Sequence, residues 1–557
     1  MLRPSWSVAG LFTVALALGC TQAPSGSTLT DQPPEASATG AKESLQCERG
    51  KEHWRTVGEP KRGGVLVRSA QAVDHFDATK TGGTALTAAS GQLAESLVEA
   101  RECFYEDVVM VPALAQSWDV APDAKTWTFK LRSDVRWQNK PPVNGRPFTS
   151  ADVAWMVDYN KREGLQRPLW APIAHEEPDA ATVVFRLREP DADFLAQLGY
   201  RENVMLPHEV KEQYGDFKSV AIGTGAFMLK DFKPNQEYNV EPNPDYYQKG
   251  LDGKTLPYLA GVRTIVFGDD AAEVAALNAG QLDETDINGI PKIQADRIRE
   301  SNPQKLRIYE HFNPGIVGVW FDTRKPPLND ARVRRAIGYG LDAEEFIARY
   351  QGGAVRAGFI PATLTEVAWS QEKLKEKFSP DREQAKRLLA EAGFKPGERK
   401  LVLKTGSNFQ QDAELAQREL EAIGVQTTIA IEGSGFSAVL RGSDFDLGIG
   451  SPGGFLYPNY WLRNLLVDDT APAQVKGART TETDRLTLDQ AHEMDPMKRK
   501  ALLDQLQERL YDTMPQAPLV THLYYHARSC RLRNASLNNP TFNARMPVEA
   551  WLDPAEC

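Results

Sequence analysis

An α/β chain of several bodies is what this sequence predicts, and three observations predict it. The chain has 557 residues, more than a single core accommodates. Trp127, Phe129 and Leu131 alternate with Thr128, Lys130 and Arg132, the period-two pattern of a strand with one buried and one wet face. From Gly318 to Gly450, helix starts and stops alternate with short apolar runs, which is the order of a parallel α/β unit. Domains of ordinary size give about three or four for this length.

The first residues read as an address. Arg3 precedes an apolar run from Val8 to Leu18, shorter than the roughly 20 residues that span a bilayer, so it reads as the core of an export signal. It ends in Ala17-Leu-Gly-Cys20, which resembles a bacterial lipobox, and that implies a lipidated Cys20 as the first residue of the mature chain. A plain secretory signal cleaved nearby is the alternative. Residues 21–60 are rich in Ser, Thr, Pro, Ala and Gly and bury too little apolar surface to offset their ordering entropy, so a flexible tether is expected. No later segment is apolar for long enough to cross a membrane.

A formal net charge of -10 excludes a nucleic-acid or anionic-membrane surface, because no basic stripe is present to release counterions. The densest basic cluster, Arg332, Arg334 and Arg335, falls on a predicted helix and is expected on its solvated face. Four cysteines follow Cys20, namely Cys47, Cys103, Cys530 and Cys557. An even number in an exported chain suggests two disulfides of unresolved pairing, and no two lie at metal-site spacing.

In chain order, Gly63-Gly-Val-Leu-Val67 opens a strand and leads to the turn Asp74-His-Phe-Asp-Ala78. Thr149 and Asp152 form a capping box ahead of a helix of roughly three turns, with Phe148 and Val153 at the staple positions. Val183, Phe185 and Leu187 make a second alternating run, and Gly223 and Gly225 suggest a turn needing unusual backbone angles. Asn329 or Asp330 caps a helix, Ser379-Pro-Asp381 starts another with Pro380 at its first position, and Gly393 ends it. Ala413 to Ile423 is a third helix before the strand Gln426 to Ile431, and Ala517 to Arg528 is a returning strand.

The order of several words resembles the extracellular solute-binding proteins of ABC importers, in the oligopeptide, dipeptide and nickel group. They are Pro112-Ala-Leu-Ala-Gln-Ser-Trp118, Thr126-Trp-Thr-Phe-Lys-Leu-Arg132, Pro147-Phe-Thr-Ser-Ala-Asp-Val153, Gly223-Thr-Gly-Ala-Phe-Met-Leu229 and Ala276-Leu-Asn-Ala-Gly-Gln-Leu-Asp283. The resemblance covers nearly all of residues 61–535. It implies an α/β, two-lobed, three-domain clamp of the type II periplasmic-binding-protein kind, with mixed sheets and the ligand cleft between the lobes. Lobe one would take residues 61–84, an inserted subdomain 85–220, then 221–310 and 515–557; lobe two would take 311–514. Crossings near 310 and 515 would make the hinge. A small-molecule solute, an ABC permease and a monomeric, periplasmic, membrane-anchored receptor are what it implies.

Catalysis finds no candidate. Gly448-Ile-Gly-Ser-Pro-Gly453 has the spacing of a dinucleotide loop, yet Pro452 and Pro458 interrupt the helix that should hold the pyrophosphate. Ser434 is outside a nucleophile elbow, His492-Glu493 lacks a second zinc histidine, and His522 and His526 read as separate satisfied histidines. No cofactor and no metal is therefore expected. Binding has better support: Gly453, Gly454, Phe455, Tyr457, Tyr460 and Trp461 form an aromatic, Gly/Pro-rich loop where regular core packing is least expected. With Asp74, His75 and Phe76 on the opposite wall and Tyr524 on the returning strand, these are the expected ligand contacts. Peptide-binding members of the group carry an acid in this loop for the ligand's ammonium, and here no acid lies between Asp446 and Asp468. A buried ammonium needs a carboxylate. Asp74 is one source, and an uncharged ligand such as an oligosaccharide is the alternative, as is an exported hydrolase or sensor built on the same clamp.

Overall fold

The computed structural model describes residues 59–70, 72–80, 91–102, 108–164, 167–218, 220–286, 289–313, 315–397, 399–432, 436, 439–440, 445–453, 457–463, 466, 478–535 and 547–556. All belong to the compact unit Leu45–Cys557. The export signal, Cys20, nearly all of the tether, and Cys47, Cys103 and Cys557 lie outside the described residues. Cys530 is buried and disulfide-bonded.

Three larger sheets carry the structure. In the first, the strands Val65–Ala70, Gly261–Val266, Glu237–Pro242 and Phe227–Lys233 lie side by side, the first pair parallel and the others antiparallel. The second is antiparallel throughout, in the order Ala115–Val120, Thr126–Leu131, Thr182–Leu187 and Ile173–Asp179. Here the alternation read from the sequence holds: Trp127, Phe129 and Leu131 are buried, and Lys130 is exposed.

The helix behind this sheet runs Ser150–Glu163, 14 residues and so nearly four turns. Its capping box forms through the Asp152 carboxylate, which accepts the Thr149 amide at 2.9 Å. Arg146 adds two bonds to the same carboxylate, at 2.9 and 2.6 Å. Val153, Met156 and Val157 face the core shared with Phe129 and Phe185.

The third sheet has seven strands and is mixed. Leu401–Gly406 pairs parallel with Thr427–Glu432 and with Leu447–Gly450, as the alternation of helices and strands predicts. Val317–Phe321 pairs antiparallel with Leu447–Gly450 and with the strand Gln516–Ser529. That last strand, 14 residues long, pairs through its first half with Val317–Phe321 and Ala354–Arg356, and through its second half with Leu306–Phe312. Its first half packs Ala517, Leu519 and Val520 into the core around Trp320 and Leu403, while Tyr525 and Ala527 join a separate core with Leu277 and Ile298. One continuous strand therefore serves two cores.

Several local expectations need correction. Gly223 and Gly225 do not adopt a positive φ; a Cβ at either would run into the backbone carbonyls of Leu93 and Gln92, so close approach is what requires glycine. The helix expected at Pro380 begins at Arg382, because the Asp381 side chain accepts the Gln384 amide at 2.8 Å and takes the cap. Arg334 is buried, not solvated: it donates to Leu328 O at 2.7 Å and to Met514 O at 2.9 Å, where it closes off the end of the helix Pro496–Thr513. Burial holds its pKa down to about 10. Among the described residues no helix is long and apolar enough to cross a membrane.

Candidate functional site

The carboxyl ends of the parallel strands Leu401–Gly406 and Leu447–Gly450 lie at one edge of the seven-stranded sheet, and in α/β sheets that edge is where ligands bind. Four more segments reach it. Gly318 is opposite Gly450, so Asn313, Gly315 and Ile316 arrive there; Val317 is opposite Val520, so Thr521, His522 and Tyr524 leave from there. Ala354 is opposite His522, which brings Arg349 and Tyr350, at the end of the preceding helix, to the same place. Gln410–Ala422 follows directly on Leu401–Gly406 and carries Asp412 in its first turn.

These residues form a continuous polar rank. The Arg349 guanidinium sits 2.9 Å from Asp412 Oδ2 and lies 4.2 Å from the centre of the Tyr350 ring. Tyr350 donates its hydroxyl to the same Asp412 oxygen at 3.3 Å and stacks on His522, centroids 4.9 Å apart. Tyr524 meets His522 edge-on at 5.2 Å and His311 edge-on at 5.5 Å. His311 stacks on His526 at 4.5 Å, their Nε2 atoms in hydrogen-bond contact. His522, Tyr524 and His526 thus share one face of the strand, each two residues from the next.

Burial sets their charge. It holds His311 down to about 3, His522 to about 4 and His526 well below its usual value, so all three imidazoles are neutral near pH 7. It pushes Asp412 up to about 6 in spite of Arg349, and raises Tyr524, helped by Asp286. Four buried polar atoms at this edge have no hydrogen-bond partner among the described residues: Asp412 Oδ1, Arg349 Nε, His522 Nδ1 and Ser451 Oγ. Ser451 Oγ lies over Gly315, where a Cβ would strike it and Gly453 O. Gly315 is pinned in turn by Asn313 Oδ1, which accepts its amide at 3.0 Å, and by Thr521 Oγ1, which donates to its carbonyl at 3.1 Å. The set supplies neutral donors and acceptors around one ion pair, which suits holding a polar solute.

The expected site residues fall into different places. Tyr524 lies in the rank. Gly453 is exposed at its rim, and Gly454 and Phe455 lie outside the described residues, as does the side chain of Tyr460. Trp461 is buried, donates its indole N–H to Phe359 O at 2.7 Å and meets Trp320 edge-on at 5.7 Å. Tyr457 is buried against Tyr200, 6.1 Å between centroids. Phe76 packs on Phe232 and Tyr238 in the core of the four-stranded mixed sheet. Asp74 is exposed, 3.6 Å from His75 Nε2, while His75 Nδ1 accepts the Asp77 amide at 3.1 Å. Arg349, Tyr350 and Asp412 were missed, and Ser451 and His522 were not linked to them, because no spacing along the sequence joins these residues; the topology does. Among the described residues no group of three or more His, Cys, Asp or Glu is placed to hold a metal.

The family model for bacterial extracellular solute-binding proteins, family 5 Middle, matches residues 109–474, more than half of the chain. The chain belongs to this family. Its relatives include the periplasmic oligopeptide-binding protein OppA of Haemophilus influenzae, 26% identical over 355 residues, 59% of this chain and 63% of that protein. The dipeptide-binding protein of Escherichia coli K12 is 28% identical over 385 residues, 63% of this chain and 68% of the relative. The match to the OppA proteins of H. influenzae and E. coli spans only 63% and 54% of their length. Solved structures extend the likeness in fold. The periplasmic binding protein DppA of Helicobacter pylori, in complex with the peptide STSA, superposes with a TM-score of 0.74 at 22% identity, covering 88% of this chain and 98% of that one. AgaA of A. tumefaciens R10, in complex with agropinic acid, gives 0.74 at 23%, covering 88% and 99%. The family 5 chain thus has the two-lobed clamp fold of the periplasmic binding proteins.

Proposed function

We propose that this chain is the solute-capturing component of an ABC importer, exported, anchored through Cys20, and delivering a small peptide to a permease. The observation that carries the reading is the family match over residues 109–474. The long strand and the polar rank give it a physical form. Residues 61–84, 85–220, 221–310 and 515–557 make one lobe and 311–514 the other; the paired strands Leu306–Phe312 and Gln516–Ser529 are the crossings between them. A solute seated on the edge bearing Asp412, Ser451 and His522 touches both lobes only when they close, so its differential affinity shifts the open and closed populations.

No reaction is needed, and the chain acts as a monomeric receptor, not an enzyme. Peptide is favoured over oligosaccharide because the relatives carry oligopeptide- and dipeptide-binding names. The acid-free loop gives the peptide ammonium no partner of its own, and Asp412 Oδ1, buried and without a hydrogen-bond partner among the described residues, supports a carboxylate held on the adjacent helix in that part. The test is a thermal-shift screen of the purified chain against di- to pentapeptides and against oligosaccharides of similar size. A peptide at a hundredfold its dissociation constant should add about 2.7 kcal/mol of stability. A screen in which glycans shift the melting curve and peptides do not overturns the peptide assignment.

A further inference from the structure

A second polar network joins two cores that the sequence keeps far apart. Asp191 and Asp193 precede the short helix Phe194–Leu198, whose Phe194 and Leu198 belong to the core around Phe129. Asn459 lies in the turn of helix Pro458–Leu462 that ends the Gly/Pro-rich loop, while Gln490 and Arg499 come from the helices Thr481–His492 and Pro496–Thr513; these three elements place Trp461, Leu486 and Leu503 in the core around Trp320.

Arg499 grips Asp193 with two bonds, Nη1 to Oδ1 and Nη2 to Oδ2, each 2.7 Å. Asp193 Oδ2 also accepts the Asn459 amide at 2.8 Å, and Asp191 Oδ1 accepts the Asn459 side-chain amide at 2.7 Å. Asn459 Oδ1 takes Gln490 Nε2 at 2.8 Å and Arg499 Nη2 at 3.1 Å. Arg463 stands 3.7 Å from Asp191, and the Ala192 amide donates to Ala491 O at 2.9 Å. Asp191, Asp193, Asn459 and Gln490 are all buried, so the pairs are shielded from water and salt. Every one of these bonds but that between Gln490 and Asn459, and that between Arg499 and Asn459, crosses from one core to the other.

We infer that Asp193 and Arg499, acting through Asn459, hold the two cores together and so fix helix Pro458–Leu462 in place before any solute arrives. The inference rests on the receptor reading above. Its physical content is that the closed arrangement is held by contacts within the chain, and that Asn459 is the joint. With Asp193 in place, the Asn459 amide and side chain are both engaged; with the cores apart, Asn459 loses both acids. Asp191 and Asp193 side by side also supply the two negative charges that Arg463 and Arg499 balance, so removing one arginine leaves a buried acid uncompensated.

Hydrogen–deuterium exchange on the full chain, with no ligand added, tests this. In Arg499→Ala the segments 190–194 and 457–463 should both exchange at least tenfold faster than in the unaltered protein, while the strand Thr126–Leu131 is unchanged. Arg499→Lys keeps the charge and loses the paired geometry, so it should fall between the two; should Arg499→Ala not fold, this variant carries the test. Asp193→Ala combined with Arg499→Ala should be no worse than the poorer single variant, the signature of one shared interaction. Unchanged exchange at 457–463, or an increase confined to helix Pro496–Thr513, overturns the inference. The peptide screen reads separately: peptides that shift the melting curve alongside unchanged exchange remove the joint and leave the receptor, and the opposite pattern removes the receptor and leaves the joint.

Discussion

The sheet around Phe129 and the carboxyl edge of the seven-stranded sheet are built to opposite rules. In the first, Trp127, Phe129, Val183 and Phe185 are buried together, and their rings meet edge to face, Phe129 with Phe185 at 5.5 Å and Phe185 with Phe194 at 5.9 Å. In the second, the groups out of water are Asp412, Thr405, Thr521 and the Ser451 hydroxyl, and among the described residues Asp412 Oδ1 and Ser451 Oγ have no hydrogen-bond partner. Close packing needs nothing from outside. A buried, incompletely satisfied polar edge costs about 1–3 kcal/mol for each group left unpaired, and a receptor that must exchange a polar ligand has a use for such groups.

The largest effect tests the first half of that contrast. Phe129→Ala should lose about 3–5 kcal/mol, measured by urea unfolding, and lose it equally at pH 5 and pH 8, because only packing is removed. Arg349→Ala should lose about 3 kcal/mol at pH 8, by leaving the buried Asp412 carboxylate without its cation. Here the sign with pH matters. The Asp412 pKa is already raised to about 6, so stability from its protonated form is complete below its ordinary value near 3.8 and is lost as pH rises through about 6. Without Arg349 that window moves higher still, and the deficit should shrink on going from pH 8 to pH 5. Equal deficits at the two pH values would put the Arg349–Asp412 pair in the same class as Phe129 and break the comparison.

Glu419 gives a smaller effect of the same sign, further from the edge. It is buried, accepts the Asp342 amide at 3.0 Å, and burial pushes its pKa up to about 7. Its contribution is therefore complete below about 4.5 and lost as pH rises through about 7. Glu419→Gln keeps the acceptor and never ionises. It should be more stable than the unaltered chain at pH 8, by about 1–3 kcal/mol, and no more stable at pH 4. A variant that gains nothing at pH 8 would mean that Glu419 is hydrated when charged.

The same contrast explains what could be read from the chain beforehand. The alternation of Trp127, Phe129 and Leu131 and the box of Thr149 and Asp152 are local patterns, and hydrophobic burial enforces them directly. The parallel strands up to Gly450 were legible for the same reason, while Val317–Phe321 running antiparallel among them was not, because strand direction depends on how the chain returns. The polar edge lies beyond local pattern: Arg349, Asp412, Ser451 and His522 are brought together from four separate segments by register alone. His522 and His526 were visible as residues but not as members of a rank, since His311 and Tyr350, their stacking partners, are remote in sequence.

The aromatic loop shows how composition and register can point to different roles for one residue. Clustered aromatics beside Gly and Pro suggest a ligand wall, yet Trp461 fills the core, bonded to Phe359 O and edge-on to Trp320. Trp461→Phe is the mildest test of that difference. It keeps most of the ring and removes the donor, so the carbonyl of Phe359 loses its partner in a buried place, and the expected loss is about 1 kcal/mol of stability. Peptide affinity, measured by calorimetry with whichever peptide shifts the melting curve, should stay within about twofold, because a packing defect of that size acts on folded and ligand-bound protein alike. A tenfold fall in affinity with stability unchanged would require the indole to touch the solute, which would move the site from the rank of His522 and Tyr524 to the loop and reverse the assignment of the two regions.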